Sequence, residues 1–266
     1  MHEPSGQVLN EDAPWNSFDP RTYVETNYRC LTGEDARILE IVRDHFVGHF
    51  EHAGDDRSSL RGIDVGTGGN LYPALSLLPW CHEITLCDRA APNVEWLKRQ
   101  EWDALSEGGA WLWNQFWEIL ALRPPYRSIP QPRSRLGTAV RVEQGNLFDL
   151  PSGAWGIGTM FFVAESMSTS HEEFARAVRS FLHSLEPGAP FAAAFVEGSA
   201  GYHVGPETYP ACRVSDTHVR ACLRPYADSF EITLVDPSDP PFRDGYTGMI
   251  VACGRRNSRP AGPEDL

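Results

Sequence analysis

The stretch GIDVGTGGN, residues 62–70, decides the fold of this chain. Its apolar start predicts a buried β-strand, and its glycines predict a tight turn, because glycine lacks a Cβ and adopts φ values that other residues avoid. A second apolar run, residues 83–87, ends in Asp88. A carboxylate at the end of the second strand can accept hydrogen bonds from a ribose diol. Together the two features predict an α/β domain that binds a nucleoside.

The spacing of the glycines argues against a dinucleotide site. Such a site uses the pattern G-x-G-x-x-G, in which the third glycine packs a helix against the strand. Here Gly66, Gly68 and Gly69 are followed by Pro73, which suits the first turn of a helix. Asp64 also stands where a dinucleotide site has an apolar residue. A D-x-G-x-G pattern with a later acid is similar to the S-adenosylmethionine site of class I methyltransferases.

Composition narrows the function classes. A chain of 266 residues with 41% hydrophobic and 22% charged residues predicts one packed domain with embellishments. A formal net charge of −13 disfavours DNA or RNA as a partner. No apolar run approaches the roughly 20 residues that cross a bilayer, and the N-terminus lacks a secretory pattern, so we expect a cytoplasmic protein.

The spacing of cysteines and histidines predicts no metal site. The six cysteines form no C-x-x-C pair, and most lie in apolar runs, so we expect buried, reduced thiols. The nine histidines form no H-E-x-x-H motif and no close cluster.

Hydrophobic periodicity predicts how the domain is organised. Residues 1–20 read as a flexible arm, residues 21–255 as a single domain, and residues 256–266 as a disordered tail. The strands are expected at 60–65, 83–87, 139–143, 154–162, 191–196, 230–235 and 246–253, the last two forming a hairpin. The helices are expected at 33–52, 71–78, 93–105, 170–185 and 215–223. This alternation predicts a doubly wound, mostly parallel, seven-stranded α/β sheet with an N-terminal helical cap.

Residues 106–137 stand apart as an aromatic and proline-rich insertion. Its aromatic side chains include Trp111, Trp113, Trp117 and Tyr126. One interpretation is a lid over a substrate site, since ligand pockets are largely apolar and aromatic. The other is simple packing on the core, which the helical spacing fits equally well.

Four segments give the chain a resemblance to one methyltransferase family. They are YVETNY at 23–28, DVGTGGNLY at 64–72, Asp88 with Asn93, and 162–165 followed by LEPG at 185–188. On these segments, within residues 23–255, the chain resembles the nicotinamide, phenylethanolamine and thioether/indolethylamine N-methyltransferases. The resemblance implies a Rossmann-like class I fold and S-adenosyl-L-methionine as the cofactor.

The resemblance also implies which residues bind the cofactor. The cofactor would be held by aromatic rings near its sulfonium, by the backbone of the glycine turn, and by hydrogen-bond acceptors for its ribose and adenine. The residues are Tyr23, Tyr28, Gly66, Thr67, Gly68, Tyr72, Asp88, Asn93, Asn146 and Leu147. Asn146 stands where many members carry an acid, and its amide oxygen would accept from the adenine amino group.

For catalysis, the resemblance and the strand-end positions together point to Glu165, Glu197 and His203. The substrate is expected to contact Asn27, Glu165, Tyr202, Trp113 and Trp117. We therefore expect methyl transfer to a nitrogen of a small amine or N-heteroaromatic metabolite. Because members of the family are often monomeric, the resemblance slightly favours a monomer. Two alternatives stay open: O- or C-methylation of an aromatic secondary metabolite, and a non-catalytic module that binds S-adenosylmethionine. A nucleotide-dependent dehydrogenase is a weaker rival.

Overall fold

A seven-stranded sheet forms the centre of the molecule. The computed structural model describes residues 6–53, 60–100, 112–237 and 245–258. The sheet strands are β1 (Leu60–Val65), β2 (Cys81–Asp88), β3 (Val140–Gln144), β4 (Ile157–Phe161), β5 (Pro190–Glu197), β8 (Ala227–Val235) and β9 (Gly248–Arg256). Their order is β3-β2-β1-β4-β5-β9-β8, and β9 runs antiparallel to both its neighbours while the other pairs are parallel. The predicted doubly wound, mostly parallel sheet is confirmed.

Helices cover both faces of the sheet. They are α1 (Pro20–Asn27), α2 (Gly33–Ala53), α3 (Tyr72–Leu77), α4 (Ala91–Lys98), α5 (Asn114–Leu120), α6 (Pro124–Arg127), α7 (Pro132–Ala139), α8 (His171–Ser184) and α9 (Asp216–Leu223). Strand β5 shows how the two cores form, because successive side chains of a strand point to opposite faces. Ala192 and Ala194 pack with α2 and α3 in one core, and Phe191 and Phe195 pack with α8 in the other.

Local chemistry fixes where the site-forming helices begin. Asp19 caps α1, since its carboxylate accepts hydrogen bonds from the amides of Arg21 and Thr22 and Pro20 follows at the first helical position. Ser170 caps α8 in the same way by accepting from the amide of Glu173. Both caps anchor segments that meet at the same edge of the sheet.

Several element boundaries differ from the prediction, among them two near the carboxyl edge of the sheet. The fourth strand, expected over 154–162, covers only Ile157–Phe161, because Phe162 turns away with a φ of 61°. The helix expected over 93–105 spans Ala91–Lys98, and residues 101–105 lie outside the described residues.

A short hairpin, like helices α1, α6 and α7, has no counterpart in the sequence prediction. It pairs β6 (Gly201–Val204) with β7 (Glu207–Pro210) in antiparallel register and turns at Gly205, whose φ is 58°. Tyr202 lies opposite Tyr209 in this hairpin. The hairpin follows β5 directly and stands over the carboxyl end of the sheet.

The described residues of the N-terminal arm are hydrogen bonded to the body of the molecule. The amide of Val8 donates to the Thr169 hydroxyl over 3.0 Å, and the amide of Asn10 donates to Glu173 Oε2 over 2.8 Å. These bonds fasten the described residues of the arm to the start of α8. In the part of the chain that the structure describes, we find no helix with the length and apolarity to span a bilayer.

The aromatic insertion packs into the core. Its described aromatic side chains, Trp113, Phe116, Trp117 and Tyr126, are all buried in the cluster that includes α2 and α3. Pro124 and Pro132 of this proline-rich insertion occupy the first turns of α6 and α7, where a missing N–H costs nothing. Trp111 and the rest of 106–111 lie outside the described residues.

Candidate functional site

A cleft opens at the carboxyl ends of β1, β2 and β4, where doubly wound folds place their ligands. It holds about 900 Å³ of space, with its open mouth included. Ten residues predicted for the site line it together: Tyr23, Tyr28, Gly66, Thr67, Gly68, Asp88, Asn93, Asn146, Leu147 and Tyr202.

The glycine turn forms one wall of the cleft, and three of its backbone N–H groups donate hydrogen bonds to the end of β2. Gly66 and Gly68 have φ values of 66° and 56°, in the left-handed region that favours glycine. The amides of Gly66 and Thr67 both donate to the carbonyl of Cys87, and the amide of Gly68 donates to Asp88 Oδ2 over 2.8 Å. A phosphate group needs free N–H donors at such a turn, so this wall does not suit a pyrophosphate.

Asp88 is held firmly at the end of β2. Its Oδ1 accepts from the amide of Ala90 over 2.8 Å and from Asn93 Nδ2 over 3.1 Å. Burial raises the pKa of Asp88, and the hydrogen bonds from Ala90, Gly68 and Asn93 oppose this rise. The bond to Asp88 orients the Asn93 amide, whose Oδ1 is buried and has no partner. The cleft thus offers a free amide oxygen beside the Asp88 carboxylate.

Asp64 supplies a second buried carboxylate, below the glycine turn. Its Oδ1 accepts from the Thr159 hydroxyl over 2.7 Å, while its Oδ2 is buried with no partner. Burial raises the pKa of Asp64 to about 7. A buried polar atom without a partner is costly and calls for a specific reason. A ligand group that donates hydrogen bonds, such as an ammonium, would satisfy Asp64.

Helix α1 brings two tyrosines against the glycine turn. A Cβ on Gly69 would lie 2.4 Å from Val24 Cγ2, so the helix sits on the turn at a place that admits only glycine without movement. Tyr23 and Tyr28 then meet edge to face, with ring centroids 5.7 Å apart, and both line the cleft. Aromatic faces at this position can attract a cationic group by cation–π interaction.

The other half of the cleft is largely aromatic, and sequence analysis gave most of it no role. The missed lining residues include Asn10, Trp15, Phe18, Phe162, Ser166 and Met167. Trp15 stacks on Tyr209 at 5.5 Å and Tyr209 stacks on Tyr202 at 5.2 Å, which joins the arm to the hairpin. No local sequence pattern predicts this contact, because it joins segments almost two hundred residues apart.

The three residues predicted to be catalytic lie outside the lining of this cleft. Glu165 is fully buried, and its Oε1 accepts from the amide of Val196 in β5. The Glu197 carboxylate accepts from the Thr247 hydroxyl next to β9. His203 is exposed, and its Nδ1 hydrogen bonds to the Thr208 hydroxyl. Successive residues of a strand point to opposite faces, so Tyr202 faces the cleft and His203 faces away.

Four other predicted residues also lie behind or beside the lining. Tyr72 is fully buried and stacks on Phe116 at 5.2 Å. Asn27 donates to the carbonyl of Tyr23 within α1. Trp113 and Trp117 belong to the core, as described above. Asn146 does line the cleft, but its Oδ1 already accepts from the amide of Phe148.

The described residues hold no group of three histidine, cysteine or acidic side chains placed to bind a metal ion. No protein-family model and no curated protein sequence matches the chain.

Solved structures share the architecture. An S-adenosylmethionine-dependent methyltransferase from Clostridium acetobutylicum aligns with a TM-score of 0.52 and 11% identity, over 89% of this chain and 97% of that one. A magnesium protoporphyrin IX methyltransferase from Synechocystis, solved with bound SAH, aligns with a TM-score of 0.51 and 15% identity, over 90% and 96%. The chain has the fold of the class I S-adenosylmethionine-dependent methyltransferases.

Proposed function

We propose that this protein is an S-adenosylmethionine-dependent methyltransferase of a small molecule. The observation that carries the proposal is the set of acceptors around the glycine turn. Asp64 Oδ2 and Asn93 Oδ1 are buried without partners, while the backbone N–H groups of Gly66, Thr67 and Gly68 are already bonded. Such a wall fits an ammonium and hydroxyl groups, and it disfavours the phosphates of a dinucleotide.

Each wall of the cleft then has a part in holding the cofactor. Asp88 would accept from the ribose hydroxyls, and Asp64 would accept from the ammonium of the methionyl group. Tyr23 and Tyr28 would face the sulfonium, since aromatic rings attract cations. When bound, S-adenosylmethionine supplies a methyl group activated by its positive sulfonium.

The acceptor side favours a neutral aromatic molecule over a protonated alkylamine. Among the described lining residues, the carboxylates are Asp64 and Asp88, both on the cofactor side. Glu165, Glu197 and His203, the predicted bases, lie outside the lining. An alkylamine must lose a proton before it can attack, whereas an aromatic ring nitrogen has a free lone pair at neutral pH. We therefore propose N-methylation of a small N-heteroaromatic compound.

O-methylation of a phenol is the second candidate. The rings of Trp15, Phe18 and Tyr202 suit any flat aromatic acceptor, so they do not distinguish a ring nitrogen from a phenolic oxygen. The difference lies in the need for a base, which a phenol has and a ring nitrogen does not.

The experiment uses S-adenosylmethionine with a labelled methyl group and three panels: N-heteroaromatic compounds, phenols and primary alkylamines. We expect the label mainly in N-heteroaromatic compounds. Label in phenols alone would favour the second candidate, and label mainly in alkylamines would contradict our assignment of the acceptor side. Binding of S-adenosylhomocysteine without any transfer would indicate a binding module.

A further inference from the structure

The N-terminal arm places one polar side chain inside the acceptor half of the cleft. Asn10 is only 3% exposed, yet it lines the cleft. Its position is fixed by a contact outside the arm, because the backbone N–H of Asn10 donates to Glu173 Oε2 at the start of α8. A second tie, between Val8 and Thr169, holds the preceding turn of the chain. Hydrogen bonds to α8 and to Thr169 therefore hold Asn10 in the lining of the cleft.

The neighbouring indole fixes which way the Asn10 amide faces. Trp15 Nε1 lies 2.8 Å from the Asn10 carbonyl and 3.1 Å from its side-chain oxygen. An indole N–H can only donate, so the side-chain atom that meets it must be the oxygen. The NH₂ group then points the opposite way, and it donates to none of the described residues.

We infer that Asn10 determines acceptor specificity by donating a hydrogen bond from Nδ2 to a lone pair on the methyl acceptor. The inference rests on the proposed function and goes further by naming the substrate class. The acceptor is a flat aromatic molecule that carries, besides the atom to be methylated, a carbonyl, ether or second ring-nitrogen lone pair.

The chemistry around Asn10 supports this class. Trp15, Phe18 and Phe162 offer ring surfaces, and an aromatic body stacks on such surfaces. A buried donor left without a partner is costly, so a ligand that lacks the matching acceptor is rejected. A donor held in a largely aromatic wall therefore discriminates between molecules of the same shape.

The test measures binding of shape-matched pairs to protein saturated with S-adenosylhomocysteine. The pairs are isoquinoline against naphthalene, and coumarin against 2-methylnaphthalene, none of which carries a charge at mildly alkaline pH. Equilibrium dialysis at that pH measures their binding. Wild-type protein should bind the first member of each pair about tenfold more tightly. Equal binding within both pairs, or binding of neither member, would overturn the inference.

Two matched variants assign the preference to Asn10. N10D keeps the oxygen that Trp15 needs and removes the NH₂ donor, so the tenfold preference should disappear. N16D makes the same change at an exposed position on the same arm, and the preference should remain. If N10D does not fold, Trp15→Phe removes the indole that holds the amide and should reduce the preference severalfold. A preference that survives these changes contradicts the role of Asn10.

Titration with S-adenosylhomocysteine distinguishes a failure of the proposed function from a failure of the role assigned to Asn10. If the wild-type protein does not bind it, the proposed function fails. If it binds equally well to wild type and N10D while the preference within the pairs is unchanged, only the assignment of Asn10 fails.

Discussion

Asp64 combines a structural cost with a proposed binding role. Its carboxylate is buried, and one of its oxygens has no partner. The pKa near 7, against an ordinary value of 3.8, means that the folded state holds the proton more tightly than the unfolded state. The contribution of this group to stability is complete below about pH 4 and is lost as the pH rises through about 7.

Asp64→Asn should therefore stabilise the ligand-free protein at mildly alkaline pH, by roughly 1–3 kcal/mol. The asparagine still accepts from Thr159 and carries no charge to desolvate. Urea unfolding at two pH values measures the effect. The gain should vanish at about pH 4, where the wild-type carboxyl is also neutral.

The same variant should bind S-adenosylhomocysteine more weakly, because an ammonium gains more from a carboxylate than from an amide. In the wild type the affinity should rise as the pH increases through about 7, the value near which Asp64 ionises. In the variant this pH dependence should disappear. Calorimetry that shows the same pH profile for both proteins would refute the role of Asp64.

Helix α1 depends on the missing side chain of Gly69. A Cβ there would lie 2.4 Å from Val24 Cγ2 and 3.2 Å from the Pro20 carbonyl oxygen. Gly69→Ala should push the helix away from the turn, cost about 1–3 kcal/mol of stability and weaken S-adenosylhomocysteine binding.

Val24→Ala makes room for the new methyl group and provides the control. The double variant should recover part of the loss, so the two substitutions should show a coupling energy of about 0.5–2 kcal/mol. Additive effects on unfolding would show that α1 and the turn do not depend on this contact.

Two tryptophans distinguish the core from the cleft. Trp117 is buried against Tyr126, so Trp117→Ala should cost about 3–5 kcal/mol in urea unfolding without changing the preference within the shape-matched pairs. Trp15 lines the cleft and is half-buried. Trp15→Ala should cost less stability and abolish the preference. If Trp117→Ala instead abolished the preference and Trp15→Ala left it unchanged, the insertion would act as a lid.

The regular elements were predictable from sequence because each leaves a local signal. The strand over Leu60–Val65 and the helix beginning at Gly33 appear where periodicity places them. The aromatic rings of the insertion were ambiguous, since core packing and a lid require the same side chains. The β6–β7 hairpin was missed because only four residues form each strand.

The cofactor half of the cleft was more predictable than the acceptor half. Asp88 and the glycine turn lie at the ends of consecutive parallel strands, so the fold brings them together without further information. The orientation of Glu165 could not be predicted, because it follows a turn in which Phe162 has a φ of 61° and depends on a tertiary hydrogen bond from the amide of Val196 in β5. Asn10 and Trp15 reach the cleft only through tertiary contacts of the arm.

The topology of the sheet explains why the candidate site residues lie together at one edge. Strands β1, β2 and β4 all end there, and α1, the arm and the hairpin close over them. The strand ends, together with α1, thus form the wall proposed for the cofactor, while the arm and the hairpin form much of the wall proposed for the acceptor. Differences in those segments can change the acceptor without disturbing the sheet.

The most direct test is calorimetric titration of the full chain with S-adenosylhomocysteine. We predict saturable binding at one site, with an affinity that falls at least tenfold in Asp88→Ala, since the ribose loses its acceptor. Asp228→Ala, at an exposed position on β8, should bind like the wild type. A folded wild-type protein that releases no heat with this ligand, or an Asp88→Ala variant with unchanged affinity, would contradict the account.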